Sequence, residues 1–207
     1  MTDQIQSLRD DLDYMKALAR EGRQAPILGG VMLLVAGVAF AAASFVQYAA
    51  LKGWVGIGPD TASLSWLVAM GVFVVALVLT KRRTAGRPGA AAVTNRAVQA
   101  VWMGSGWAIF ALALAIIAMT VRTHSGLPTF FFAPFILAVY GISWTVAAVM
   151  SRKVWIWAVA LGCYGGTVVM GLLAPAAEQL LVYGFALLLL AALPGVVLML
   201  GEPSDLV

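Results

Sequence analysis

The sequence predicts an all-α integral membrane protein in which six transmembrane helices follow an N-terminal amphipathic helix. Three observations lead to this fold class. Of the 207 residues, 62% are hydrophobic and only 11% are charged, whereas a soluble domain carries about 25% charged residues. Six apolar runs are each long enough to cross a bilayer, and basic residues gather in alternate connections between them. Because so little charge cannot cover a water-exposed surface, lipid is the expected solvent.

The six apolar runs form the predicted bundle. Their ranges are 27–50, 63–80, 97–121, 129–150, 154–174 and 178–200. Each run can span about 30 Å of hydrocarbon as a helix that rises about 1.5 Å per residue. The runs lack the alternation of β-barrel strands, so helices are the form that satisfies their backbone in lipid. Short connections indicate three antiparallel hairpins, which divides the chain into residues 1–24, a bundle over 25–200 and a tail over 201–207.

The basic residues predict an orientation for the bundle. Lysine and arginine are concentrated before the first run, in the connection over 81–96 and at 152–153, whereas the opposite side has Lys52 and Arg122. Because basic loops stay on the cytoplasmic side, both termini are expected to be cytoplasmic. The abundance of alanine and the excess of arginine over lysine indicate a bacterial inner membrane. This topology accounts for the net charge of +4, so no nucleic-acid partner is expected.

Small residues predict where the helices approach one another, because helices in lipid associate through close backbone packing. The third run has Gly104 and Ala108 on a face that continues in alanines, and the fifth run has the pair Gly162 and Gly166. We expect the first, third and fifth helices to make the closest contacts within the chain, with a homodimer as the other use of these faces. We also expect leucine at Gly166 to be more damaging than leucine at Gly195.

The chain begins with an amphipathic pattern. Apolar residues recur at steps of three and four, which predicts a helix with one apolar stripe. The stripe consists of Ile5, Leu8, Leu12, Met15 and Ala19. The polar face mixes acidic and basic side chains, whereas helices that lie on membranes favour basic ones. We therefore expect the stripe to contact a cytoplasmic protein or another copy of the chain, and the alternative is a helix that lies on the inner leaflet.

Groups able to perform chemistry are few. The chain has one histidine and one cysteine, which do not make a metal-binding set, so neither a metal nor another cofactor is expected. No aspartate lies within an apolar run. Glu178 falls in the first turn of the predicted sixth helix, where a carboxylate complements the helix dipole. We therefore expect no enzymatic activity.

A pocket for a lipophilic ligand is the second hypothesis for the bundle. Tyr140 in the fourth run lies at a depth similar to that of Tyr164 and Thr167 in the fifth, if the two helices are antiparallel neighbours. Buried tyrosine hydroxyls need partners, which are either a ligand or the protein itself. Two functions are therefore carried forward. One is a non-catalytic membrane protein that acts through protein contact, and the other is a small transporter or ligand-binding protein with a pocket between the fourth and fifth helices.

Overall fold

The computed structural model describes residues 29–84 and 93–201, and these described residues form helices without a strand. Six of the described helices are long and apolar enough to cross a membrane. They are Gly30–Leu51, Pro59–Thr80, Thr94–Thr123, Leu127–Ser151, Val154–Leu173 and Glu178–Leu200. We refer to them as the first to the sixth helix. The predicted all-α fold with six membrane-spanning helices is confirmed at this level.

Several of these helices are composite or longer than predicted. The second begins with the short helix Pro59–Ala62 and continues as Leu64–Thr84. The fourth begins with a 3₁₀ segment, Leu127–Phe131, and continues as Phe132–Ser151. The third is continuous over Val93–Thr123, and its 31 residues give a length of about 46 Å at about 1.5 Å per residue. It is therefore longer than the thickness of the hydrocarbon layer, which is about 30 Å.

The helices differ in how much they are enclosed. The first helix packs against the second and along the whole of the sixth, whereas the fourth packs against the third and, most extensively, the fifth. The fifth also contacts the sixth. The second and third helices are the least buried of the six. The first, fourth, fifth and sixth helices therefore form the centre of the bundle, and the second and third lie at its periphery.

Two apolar clusters hold the central helices together. One joins Trp144 of the fourth helix, Ile156 of the fifth and Leu198 of the sixth. The other includes Leu137 of the fourth helix and Met170 of the fifth, both fully buried. Lipid tails are as apolar as these side chains, so the clusters contribute close packing rather than removal of apolar surface from water.

The first and sixth helices approach one another backbone to backbone. A Cβ atom added to Gly37 would lie 2.5 Å from the amide nitrogen of Ala192, and one added to Gly195 would lie 2.6 Å from that of Leu34. A Cβ added to Gly30 would lie 2.5 Å from the carbonyl oxygen of Gly195. These distances are shorter than Cβ atoms tolerate. Glycine at these positions is therefore what allows the two helices to cross.

The small-residue face of the third helix points away from the bundle. Gly104 and Ala108 are exposed, and a Cβ added to Gly104 meets no atom of the described chain within 4 Å. The side of this helix that turns inward has Ser105 and Ile116, both buried. The expectation that the third helix makes close contacts within the chain through its small residues is therefore wrong. The helix is rotated so that larger side chains meet the fourth helix.

The glycine pair of the fifth helix does lie at helix contacts, but it faces side chains. A Cβ added to Gly162 would lie 2.8 Å from Cδ2 of Leu190, and one added to Gly166 would lie 3.0 Å from Cδ1 of Leu137. The ends of leucine side chains rotate more easily than a backbone moves. Gly195 is therefore the more demanding position, which reverses the expectation drawn from the sequence.

Candidate functional site

Tyr164 lies at the surface where the fourth and fifth helices meet. Its ring covers Gly141, where an added Cβ would lie 2.6 Å from the ring. Its hydroxyl oxygen is 3.1 Å from Oγ1 of Thr145, and Thr145 Oγ1 is 2.8 Å from the carbonyl oxygen of Gly141. Because a threonine hydroxyl has one hydrogen, Thr145 donates to Gly141 and Tyr164 donates to Thr145. The Tyr164 hydroxyl is thus used in the contact between the two helices.

Tyr140 and Thr167 have other neighbours. The ring of Tyr140 packs edge to face on Trp102 of the third helix, with 5.2 Å between the ring centroids. Thr167 Oγ1 is 3.0 Å from the carbonyl oxygen of Cys163 and 3.3 Å from that of Pro134. The hydroxyl has one hydrogen, which is shared between a carbonyl of the fifth helix and one of the fourth. The three residues of the predicted pocket therefore have separate partners, and the polar contacts of Tyr164 and Thr167 are to the protein itself.

An aromatic cluster joins the third, fourth and fifth helices. The Trp144 ring is completely buried, and its centroid lies 5.5 Å from that of Trp102 and 6.5 Å from that of Trp155. The pair with Trp102 is edge to face and the pair with Trp155 is tilted, and aromatic rings at these separations attract one another. Trp144 also donates its indole N–H to the carbonyl oxygen of Leu190 at 3.1 Å. The cluster is thereby bonded to the sixth helix as well.

A pair of serines connects the third helix to the fourth. The hydroxyl oxygens of Ser105 and Ser143 are 2.7 Å apart, and both residues are buried. Ser143 also donates to the carbonyl oxygen of Val139 at 3.0 Å, a common use of serine in helices. Ser105 is then the donor to Ser143, because each hydroxyl has a single hydrogen. This bond holds the peripheral third helix to the centre.

Gln179 satisfies two backbone carbonyls at one end of the bundle. Its Nε2 donates to the carbonyl oxygens of Phe130 and Met170, each at 2.9 Å. Pro134 lacks the amide hydrogen that would bond the carbonyl of Phe130 in a continuous helix. Met170 lies in the last turn of the fifth helix, where carbonyls have no helical donor. The buried side-chain amide of Gln179 therefore supplies two hydrogen-bond donors that the fourth and fifth helices lack.

The first and sixth helices are joined by polar contacts at this same end. Lys52 Nζ lies 2.5 Å from Oε1 of Glu178, and Ser44 donates to the carbonyl oxygen of Leu180 at 2.7 Å. The hydrogen bond to Glu178 raises the pKa of the Lys52 ammonium above its ordinary value. The Lys52 and Glu178 side chains are 35% and 48% exposed, so water screens the ion pair and limits its contribution to stability.

Reasoning from the sequence did not identify Trp144, Ser143 or Gln179 as bonded groups. Pro134 and Pro194 were the available signal, because a proline in a membrane helix leaves a carbonyl that a neighbouring group must satisfy. Sequence positions show which carbonyls are open. They do not show which side chain of another helix reaches them.

The predicted docking stripe lies outside the described residues. Its members are Ile5, Leu8, Leu12, Met15 and Ala19. Within 29–84 and 93–201, no group of three or more His, Cys, Asp or Glu side chains is positioned to hold a metal ion. No family model, curated protein or solved structure matches the chain. A proposal about function therefore rests on the residues of this chain alone.

Proposed function

We propose that this chain is a non-catalytic, multi-pass protein of a bacterial inner membrane that acts through protein contact. The N-terminal segment 1–24 forms an amphipathic helix that docks a cytoplasmic protein partner. Self-assembly through the same surface is the second form of the proposal. The docking residues are Ile5, Leu8, Leu12, Met15 and Ala19.

The observation that carries this proposal is the charge pattern around the apolar stripe. Asp10, Asp11 and Asp13 lie beside Arg9 and Lys16 on the polar part of the segment. Anionic lipids attract basic residues and repel acidic ones, so this mixture weakens binding to a membrane surface. A narrow apolar seam flanked by both signs of charge is typical of a helix that packs against protein. Protein contact is therefore favoured over a helix that lies on the leaflet.

The hydrogen bonds inside the bundle support the same choice over a transporter. A transport path needs polar groups that are free to meet a ligand at membrane depth. Tyr164 is bonded to Thr145, and the single hydroxyl hydrogen of Thr167 is used by the carbonyls of Cys163 and Pro134. Gln179 is likewise bonded to two carbonyls. The hypothesis of a lipophilic-ligand pocket between the fourth and fifth helices has correspondingly less support.

The proposed topology consists of three antiparallel hairpins with both termini in the cytoplasm. Its main support is the concentration of basic residues in 1–24, 81–96 and 152–153. The contact between Lys52 and Glu178 is consistent with it, since three hairpins bring the end of the first helix and the start of the sixth to one side.

Reporter fusions test this topology. Fusions after Gln24, Ala90 and Ser204 should be active with a cytoplasmic reporter, and a fusion after Gly53 should be active with a periplasmic one. Periplasmic activity at any of the first three positions would refute the cytoplasmic placement of that segment. The docking proposal would then lose its cytoplasmic partner.

Crosslinking of the full-length chain in native membranes, followed by mass spectrometry, tests the docking role. Leu8→Asp with Leu12→Asp places two carboxylates in the apolar seam, at a cost of several kcal/mol when they are unpartnered. We expect the crosslinks of residues 1–24 to be lost. The amount of protein in the membrane should hardly change, because the six apolar helices carry their own insertion signals.

The matched control is Asp10→Lys with Asp11→Lys, which changes two charges but leaves the seam intact. We expect its crosslinks to resemble those of the unmodified chain. Unchanged crosslinks in the Leu8 and Leu12 double variant would contradict the proposal. Crosslinks that join two copies of the chain would identify self-assembly as the form of contact.

A further inference from the structure

The sixth helix changes its winding in its C-terminal half. It consists of an α-helical segment, Glu178–Leu187, a π-helical turn, Leu188–Ala192, and a second α-helical segment, Leu193–Leu200. A π-helical turn inside an α-helix is rare and frequently lies at a functional site. Pro194 follows directly, in the first turn of the second segment. The helix is therefore divided into two rigid parts by one irregular turn.

Pro194 creates a specific deficit at this turn. In a continuous α-helix the amide of residue 194 would bond the carbonyl of Leu190, but proline has no amide hydrogen. The indole N–H of Trp144, in the fourth helix, donates to this carbonyl oxygen at 3.1 Å. Within the turn the Leu193 amide bonds the carbonyl of Leu188, five residues back, so the winding and the proline both change which carbonyls have helical donors. Because an unpaired carbonyl in lipid is costly, the indole bond supplies the Leu190 carbonyl with a donor beside the turn.

Trp144 is held firmly in the position from which it donates. Its side chain is completely buried. Trp102 packs edge to face on it and Trp155 lies against it at a tilt. An indole enclosed in this way has little freedom to rotate, so the direction of its N–H is determined by the third, fourth and fifth helices together.

The segment beyond the turn is attached to the first helix. Gly195 lies so close to Gly30 and Leu34 that a Cβ at position 195 would meet the backbone of both. A displacement of Leu193–Leu200 would therefore carry the beginning of the first helix with it. The preceding segment, Glu178–Leu187, is held separately by the bonds at the other end of the bundle.

We propose that residues 188–192 are a hinge in the sixth helix and that Trp144 is the latch that sets its angle. While Trp144 donates to Leu190, the segment Leu193–Leu200 is fixed relative to the fourth helix. When the bond opens, this segment and the start of the first helix move together, and Glu178–Leu187 stays in place. The hinge does not depend on a docking role for residues 1–24.

Hydrogen–deuterium exchange of the full-length chain tests the latch. The chain is placed in nanodiscs of phosphatidylethanolamine and phosphatidylglycerol, and exchange is measured by mass spectrometry. Trp144→Phe keeps an aromatic ring but removes the donor. We expect the amides of 193–200 to exchange about tenfold faster, which corresponds to the loss of one hydrogen bond. The amides of 178–187 should be unchanged.

Trp107→Phe is the matched control. It makes the same chemical change in the third helix, at an exposed tryptophan outside the cluster that positions Trp144. We expect exchange over 193–200 in this variant to resemble that of the unmodified chain. An increase as large as that in Trp144→Phe would mean that the faster exchange does not come from loss of the Trp144 N–H, and would overturn the proposal.

Pro194→Ala supplies the rescue, because alanine restores the amide hydrogen that can bond the Leu190 carbonyl. In the double variant, exchange over 193–200 should return towards that of the unmodified chain. No change in Trp144→Phe, equal acceleration on both sides of the turn, or absence of rescue would each overturn the proposal. If Trp144→Phe alone does not fold, a folded double variant supports the latch and an unfolded one refutes it.

Discussion

The crossing of the first and sixth helices and the crossing of the fourth and fifth both use glycine, but the glycines meet different atoms. Gly37 and Gly195 lie against the backbone of the opposing helix. A Cβ atom added at these positions would lie 2.5 and 2.6 Å, respectively, from a backbone amide nitrogen of that helix. Gly141 lies under the ring of Tyr164. A Cβ atom added to Gly166 would lie 3.0 Å from the end of a leucine side chain. Side-chain ends rotate away from an added group, whereas a backbone moves only with its helix.

This difference separates the extent of a helix contact from its tolerance to substitution. Both contacts are extensive, yet that between the fourth and fifth helices is made largely through side chains that can adjust. The first and sixth helices approach through their backbones, where an added side chain could be accommodated only if a whole helix moved. In lipid, where close packing replaces the hydrophobic effect between helices, the backbone crossing is therefore the less forgiving of the two.

The largest effect is expected from Gly195→Leu. A leucine here would have to displace the backbone of the first helix at Gly30 and Leu34. We expect a loss of about 3 kcal/mol or more, at or above the upper end of the usual cost of overpacking. Thermal unfolding in a mild detergent, with size-exclusion chromatography to verify that the protein is folded, measures the loss. A loss below that of Gly166→Leu would contradict the comparison.

Gly166→Leu should be destabilising to a smaller degree. The added group meets Cδ1 of Leu137, which can adopt another rotamer at a cost of about 1–2 kcal/mol in total. The same unfolding measurement applies. If both leucine variants lose the same stability, side-chain and backbone contacts are equivalent here, and the fifth helix regains the central role that its glycine spacing predicted.

Gly104→Leu should change the stability of the chain by no more than about 0.5 kcal/mol, as for other exposed positions. The small-residue face of the third helix points outward, and a Cβ at position 104 meets no atom of the described chain within 4 Å. The variant sharpens the comparison because position 104 does not lie at a helix crossing within the described chain. A loss close to that of Gly166→Leu would indicate that a second copy covers this face, as the homodimer alternative predicts.

Glu178→Gln should have the smallest effect on the crossing of the first and sixth helices. The ion pair with Lys52 is half exposed to solvent and therefore weak. Folding raises the pKa of Lys52, so the stabilisation is present below the ordinary lysine pKa and is lost as the pH rises through the raised value. The melting temperatures of the two proteins should thus converge at strongly alkaline pH. A difference in melting temperature that persists at alkaline pH would show that the substitution changes stability by something other than loss of the ion pair.

Much of the fold followed from local properties of the sequence. Apolar length predicted all six helices, and the predicted ends of the first, fifth and sixth lie within a few residues of the observed ones. The third helix is longer at both ends than its apolar run, because apolarity marks only the part of a helix that can lie in lipid. The candidate site was predicted less well. Tyr140 and Tyr164 were expected at similar depth, but the contacts of Tyr164 with Thr145 and of Thr167 with Pro134 depend on neighbouring helices.

The sequence by itself determined that the six apolar segments are helical and able to cross a membrane, and that the amide hydrogen is missing at Pro134 and Pro194 within them. These are consequences of composition and of the covalent chain, and they need no neighbour. Only the tertiary structure decided that Gly195 meets a backbone, that Gly104 meets nothing in the described chain, and that Trp144 and Gln179 reach the open carbonyls. These contacts depend on the rotation of each helix about its axis, and that rotation is set by how all the helices pack together.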